Sequence, residues 1–151
     1  VVYRMGKSFD RSRFQEQEAY LRQMLKTSAR FRRLCIDRHG IGMNLAENLR
    51  TEFRSRVEGI ALVGQVKETL AVALKIAFEN EAVSIPRQRE LLSQIHAIKK
   101  TSTDAGYARF DTEKNERHHS DKMWALALAV HAAGLGKDKR RKRQKVSASI
   151  V

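Results

Sequence analysis

Residues 32–63 read RRLCIDRHGIGMNLAENLRTEFRSRVEGIALV, and this stretch decides the fold class. Three apolar residues, Leu34, Cys35 and Ile36, run into Asp37 and then into the turn Arg38-His39-Gly40-Ile41-Gly42. Beyond the turn, Leu45, Leu49 and Phe53 recur at helical spacing, and a second apolar run follows from Val57 to Val63. A strand, a tight glycine turn, a helix and another strand form the unit of a parallel sheet, because parallel neighbours need a crossover.

Outward from this unit the alternation continues. Leu70, Ala73, Leu74, Ala77 and Phe78 form one stripe of a helix, and Ala82 to Ile85 read as a third short strand. Pro86 suits the first turn of a helix carrying Leu91, Leu92 and Ile95. Ile98 to Thr103 and Tyr107 to Phe110, separated by Asp104-Ala105-Gly106, read as a β-hairpin. A polar loop from Thr112 to Ser120 leads to a nearly all-apolar helix, Met123 to Ala133, whose composition predicts burial on most sides. Towards the N-terminus, Val1-Val2-Tyr3 is β-prone, and Asp10 is placed to cap an amphipathic helix with Phe9 and Phe14 as its hydrophobic staple. The expected class is α/β, a mostly parallel sheet flanked by helices, with a β-hairpin.

At 151 residues, with 42% hydrophobic and 31% charged residues, the chain suits one soluble domain with its own core. We divide it into a domain over 1–136 and a basic, disordered tail over 137–151. The net charge of +13 points to a polyanionic partner, since Lys and Arg displace counterions condensed on nucleic acid. The run KDKRRKRQK at 137–145 supplies +6 of it, leaving the body at +7. A single cysteine, Cys35, excludes an internal disulfide and the Cys-rich zinc patterns, and its apolar neighbours predict a buried, inert thiol. No apolar run reaches membrane-spanning length, no signal-peptide pattern opens the chain, and no GxxxxGK[ST] phosphate loop is present. No membrane partner is expected, a membrane surface being the weaker alternative to nucleic acid, and no nucleotide-hydrolysing motor is recognisable in this segment.

The candidate chemistry lies in two acids at the ends of apolar elements. Asp37 closes a strand, where ligands of parallel α/β sheets bind, and Gly40 and Gly42 allow close approach of a phosphate. Asp121 opens the apolar helix, just after His118, His119 and Ser120. Taken alone, Asp37 is equally a turn cap, and Asp121 is more readily an N-cap or first-turn acid. Together in a basic domain they suggest a metal site: two carboxylates about 4 Å apart repel by ~4 kcal/mol at an effective dielectric near 20, and a divalent cation removes that cost. Oxygen donors favour Mg²⁺ or Mn²⁺, with His119 as an accessory ligand. Two such ions support phosphodiester cleavage.

The stretches RLCIDRHGIGMNLAENL, VEGIALVGQVKETLAVAL, VSIPRQRELLSQIHAIKK and HHSDKMWALALAV, in that order, resemble the nuclease domain of the large terminase subunit of tailed bacteriophages, particularly the Mu-like group. The resemblance covers about residues 1–133. It implies an RNase H-like fold and a two-metal endonuclease that cuts concatemeric double-stranded DNA during genome packaging in the bacterial cytoplasm. The terminase small subunit and the portal are its implied partners. By position, Asp37 matches the second acidic ligand, Asp121 the last, and Lys67 a lysine that the family often carries. The first essential aspartate of such domains sits on an opening strand that has no counterpart here, so the N-terminal strands are expected to be missing and the isolated chain slow or inactive. For DNA contact, Lys67, Lys99, Lys100 and Arg109 are candidates in the body, and Lys139, Arg140, Arg141, Lys142 and Arg143 in the tail. The alternatives are a noncatalytic DNA-binding or docking module on the same fold, and another RNase H-like enzyme of the resolvase or integrase type.

Overall fold

The computed structural model describes residues 2–28, 31–102, 108–111 and 120–135. Helix α1 spans Phe14–Thr27, strand β1 Leu34–Asp37 and helix α2 Ile41–Phe53. After one 3-10 turn come strand β2, Val57–Ile60, and helix α3, Gly64–Glu79. Helix α4 covers Arg89–Ala97, strands β3 and β4 cover Lys99–Ser102 and Ala108–Asp111, and helix α5 covers Asp121–Ala132.

Strands β1 and β2 are parallel, with Leu34 opposite Val57 and Asp37 opposite Ile60, and α2 is the crossover between them. Alternation along the strands sorts side chains to two faces. Leu34, Ile36 and Val57 pack with Leu25 of α1 and with Leu45, Ala46 and Leu49 of α2. Cys35 and Ile60 face the opposite core, built from Leu70, Leu74 and Ala77 of α3, Leu91 of α4, and Trp124, Ala127 and Val130 of α5. The chain is therefore a layered α/β structure with the paired strands in the middle. Arg56 fastens one side by donating to the carbonyls of Leu25 at 2.9 Å and Phe31 at 2.6 Å.

Several sequence expectations shift. Asp10 does not cap α1, which starts at Phe14 after an extended Arg13, and the Glu16 carboxylate reaches back to the Arg13 N–H at 3.3 Å. Phe9 instead meets Tyr20 edge to face, with ring centroids 5.4 Å apart. The third strand reduces to one parallel bridge, Val2 to Ser84, with the Tyr3 N–H donating to the Ser84 carbonyl at 2.9 Å. Pro86 precedes its helix rather than joining the first turn, since α4 begins at Arg89. The second strand stops at Ile60 because residues 61–63 turn the chain into α3. The hairpin forms as expected, antiparallel, with Lys99 opposite Asp111. Residues 103–107, the loop 112–119 with His118 and His119, and the tail lie outside the described residues.

Candidate metal and nucleic-acid site

Asp37 is the last residue of β1, at the carboxyl edge of the parallel pair. By alternation it shares a face with Cys35, the face that α3 and α5 cover. Its Oδ1 accepts the His39 N–H at 3.2 Å and lies 2.8 Å from His39 Nδ1. This is an Asx-type turn that fixes the carboxylate locally. The two glycines of the turn have different causes. Gly40 adopts φ +54°, in the left-handed region, with open space around it. A Cβ on Gly42 would stand 1.9 Å from the Asp37 carbonyl oxygen, so α2 can pass this strand end only as glycine.

Asp121 is the first residue of α5 and is exposed. The helix start is capped from elsewhere in the chain: buried Gln94 of α4 uses its Oε1 to accept the N–H of Lys122 at 2.8 Å and of Met123 at 3.3 Å. Each such bond is worth about 0.5–1.5 kcal/mol net. The Lys122 ammonium also pairs with Glu90 of α4. Ser120, the residue before the helix, is buried, and its Oγ has no hydrogen-bond partner among the described residues.

Lys67 connects the two halves of the arrangement. It stands in the first turn of α3, just beyond the carboxyl edge of β2, and its ammonium lies over the Trp124 ring, 5.2 Å from the centroid. The first half of α5 thus sits beside the helix that leaves the sheet at the edge where Asp37 lies. At its other end, His131 approaches Glu58, the residue opposite Cys35 in the sheet.

Asp37 is partly exposed and Asp121 exposed, and carboxylate donors of this kind fit a hard divalent ion. Among the described residues neither belongs to a cluster of three ligand-type side chains. His119 lies outside those residues, as do Lys139 to Arg143. Lys99 is exposed at the start of β3; Lys100 lies opposite Phe110, and Arg109 opposite Thr101.

One cluster escaped sequence reasoning. Cys35, Glu58 and His131 bring one ligand atom each within 4.8 Å of one another. Cys35 is partly rather than completely buried, a departure from the expected buried thiol, and its Sγ contacts Glu58 Oε2 at 3.6 Å. Burial first, and the Glu58 charge second, push the Cys35 thiol up to about 11. Burial would raise Glu58 as well, but the hydrogen bond and charge of Arg33, with help from His131 and Cys35, hold it below the usual carboxylate value.

The family described as the terminase RNaseH-like domain matches residues 6–133. Among solved structures, the large terminase nuclease from thermophilic phage G20c with bound magnesium superposes with a TM-score of 0.64 at 22% identity, over 80% of this chain and 62% of that one. The same nuclease with bound cobalt gives 0.66 at 22%, over 82% and 64%. The large terminase nuclease domain of Thermus phage P74-26 gives 0.61 at 21%, over 80% and 60%. At these identities the likeness establishes the fold, and the chain spans less than two thirds of the length of these nucleases. No curated protein sequence matches the chain.

Proposed function

The chain belongs to the terminase RNaseH-like domain family, and from that premise we propose that it is the nuclease part of a phage DNA-packaging terminase, cutting double-stranded DNA with Mg²⁺ or Mn²⁺. Membership favours this over a resolvase or integrase. The finer assignment to the Mu-like group rests on the RLCIDRHGIG and HHSDKMWALALAV stretches. Host cytoplasm, and the small subunit and portal as partners, follow from the same reading.

The observation that carries the proposal is Asp37 at the carboxyl edge of β1, on the face covered by the helix that Asp121 opens. In this reading Asp37 and Asp121 are the metal-binding and catalytic acids, and His119 is an accessory ligand. Two bound ions would supply an activated water and stabilise the leaving oxygen of the phosphodiester. The chain's own residues orient and attract. The His39 contacts hold Asp37 in one orientation, and the Gln94 cap fixes the helix that carries Asp121. Lys67, Lys99, Lys100, Arg109 and the tail residues Lys139 to Arg143 draw in the phosphate backbone. We divide the chain into a nuclease domain over 1–136 and a basic tail over 137–151. We propose further that the 151 residues on their own bind metal weakly and cleave slowly or not at all.

A noncatalytic DNA-binding module is the second reading, favoured by the Asp37–His39 contact, which satisfies one carboxylate oxygen without any metal. Plasmid cleavage by the protein at its natural full length separates the two. Cleavage that needs Mg²⁺ or Mn²⁺ and disappears in Asp37→Asn and Asp121→Asn supports the nuclease. Salt-sensitive DNA binding without cutting in any divalent ion supports the module.

A further inference from the structure

We propose that Cys35, Glu58 and His131 form a second metal site, which takes a borderline-soft divalent ion of the zinc class and clamps α5 to the parallel strands.

The three donors come from β1, β2 and α5, far apart in the sequence, and converge on one point. Their spacing fits a tetrahedral ion. Zn–S near 2.3 Å with Zn–N and Zn–O near 2.0–2.2 Å puts neighbouring donors about 3.4–3.6 Å apart. Cys35 Sγ is 3.6 Å from Glu58 Oε2, and His131 Nε2 is 3.5 Å from that same oxygen. The third pair, Cys35 with His131, lies within 4.8 Å.

The donor set matches the ion as well. Thiolate and imidazole select zinc-like metals over Mg²⁺, which seeks oxygen alone. His131 Nε2 is fully buried and has no hydrogen bond among the described residues, although it points at the Glu58 carboxylate. A buried imidazole nitrogen with no bond is costly as it stands, and a metal would satisfy it. One thiolate and one carboxylate balance a divalent charge, and binding releases the thiol proton to solvent. Arg33 donates to that same Glu58 Oε2 and keeps the carboxylate ionised, and binding of the ion would turn the guanidinium to the other carboxylate oxygen.

Three protein ligands leave one coordination position for water or a small molecule. A cavity of about 310 Å³ adjoins Glu58 and His131 and is walled on the α3 side by Val66, Thr69 and Leu70. It supplies room for that fourth ligand. The site differs from the Asp37 and Asp121 edge in chemistry and in the residues that compose it. The ion would join the helix carrying Asp121 to the strand carrying Asp37 at a point two residues before Asp37.

Because Cys35 is the only cysteine, a thiolate-to-cobalt charge-transfer band in the near ultraviolet reports on this site alone. Titration of the 151-residue chain with Co²⁺ is expected to give such a band, saturating at one ion per chain, bleached by Zn²⁺ and missing in Cys35→Ser. His131→Gln and Glu58→Gln should each weaken the affinity at least ~10-fold. Without any variant, Zn²⁺ should slow alkylation of Cys35 at least ~10-fold, reversibly on chelation. Absence of the band, a band indifferent to His131→Gln, or a band that appears only as two chains associate through their cysteines would overturn the proposal. Unchanged alkylation in saturating Zn²⁺ would do the same.

Discussion

Gly42 lies so close to Asp37 that a side chain on the glycine would occupy the position of the aspartate's carbonyl oxygen, 1.9 Å from the Cβ. The clash would fall on the backbone, where no rotamer change can relieve it. Strand end and helix start are therefore locked together, and Asp37 is presented from a rigid corner.

Gly42→Ala is accordingly expected to destabilise the fold by about 1–3 kcal/mol, as overpacking does elsewhere. Gly40→Ala should cost about 1–2 kcal/mol through its positive φ alone. Urea denaturation of both variants measures the two effects. A neutral Gly42→Ala would mean that the α2 start can move away from Asp37.

Gln94→Leu keeps the shape of a buried side chain but removes the acceptor for two amides at the start of α5. We expect a loss of about 1–3 kcal/mol, the usual cost of stranding buried donors. Hydrogen exchange at Lys122 and Met123 should accelerate relative to the middle of α5. Unchanged protection at those amides would show that other groups cap the helix.

The elements that position the candidate site were legible because their signals are local. Three apolar residues, an acid, a glycine turn and a helical stripe lie within one short window, and α5 is apolar at nearly every position. Elsewhere a local signal pointed the wrong way. Phe9 and Phe14 suggested a staple around Asp10, but Phe9 found Tyr20, and the cap fell to Arg13 with Glu16. The Ala82 to Ile85 run has strand composition and yet makes only one bridge. Gln94 as a cap for α5, and the meeting of Cys35 with Glu58 and His131, depend on how separate elements pack, which no window of sequence contains. A buried helix ending in a histidine, and a glutamate inside an apolar strand, were the available hints.

Ionisation of Cys35 and Glu58 gives opposite signs at the two ends of the pH scale. The folded thiol titrates near 11 against an ordinary 9.0, so the unfolded chain loses its proton first, and stability should fall as pH rises from about 9 towards 11. Glu58 is held below its ordinary 4.5, so its contribution is present above that value and disappears as pH falls through the lower, folded one. Denaturation midpoints across pH, compared with Cys35→Ser, test the alkaline limb. An identical limb in the variant would assign it to other groups.

Truncation after residue 136 removes the run at 137–145 and its +6. Nonspecific affinity for duplex DNA should fall, and the slope of log affinity against log salt should become shallower by about 0.9 for each phosphate that the tail neutralises. Fluorescence anisotropy with a labelled duplex at several salt concentrations reads both. An unchanged slope would place DNA binding entirely on the body of the domain.

Mn²⁺ binding, followed by electron paramagnetic resonance, tests most directly whether Asp37 and Asp121 act as one site, because a hard ion prefers these carboxylates to the thiol cluster. The measurement compares the chain with Asp37→Asn, Asp121→Asn and the double variant. One shared site predicts that each single substitution weakens Mn²⁺ binding at least ~10-fold, with the double variant little worse than either, as for residues acting as a unit. Binding unchanged by either substitution, or two independent effects that add, would contradict a common site.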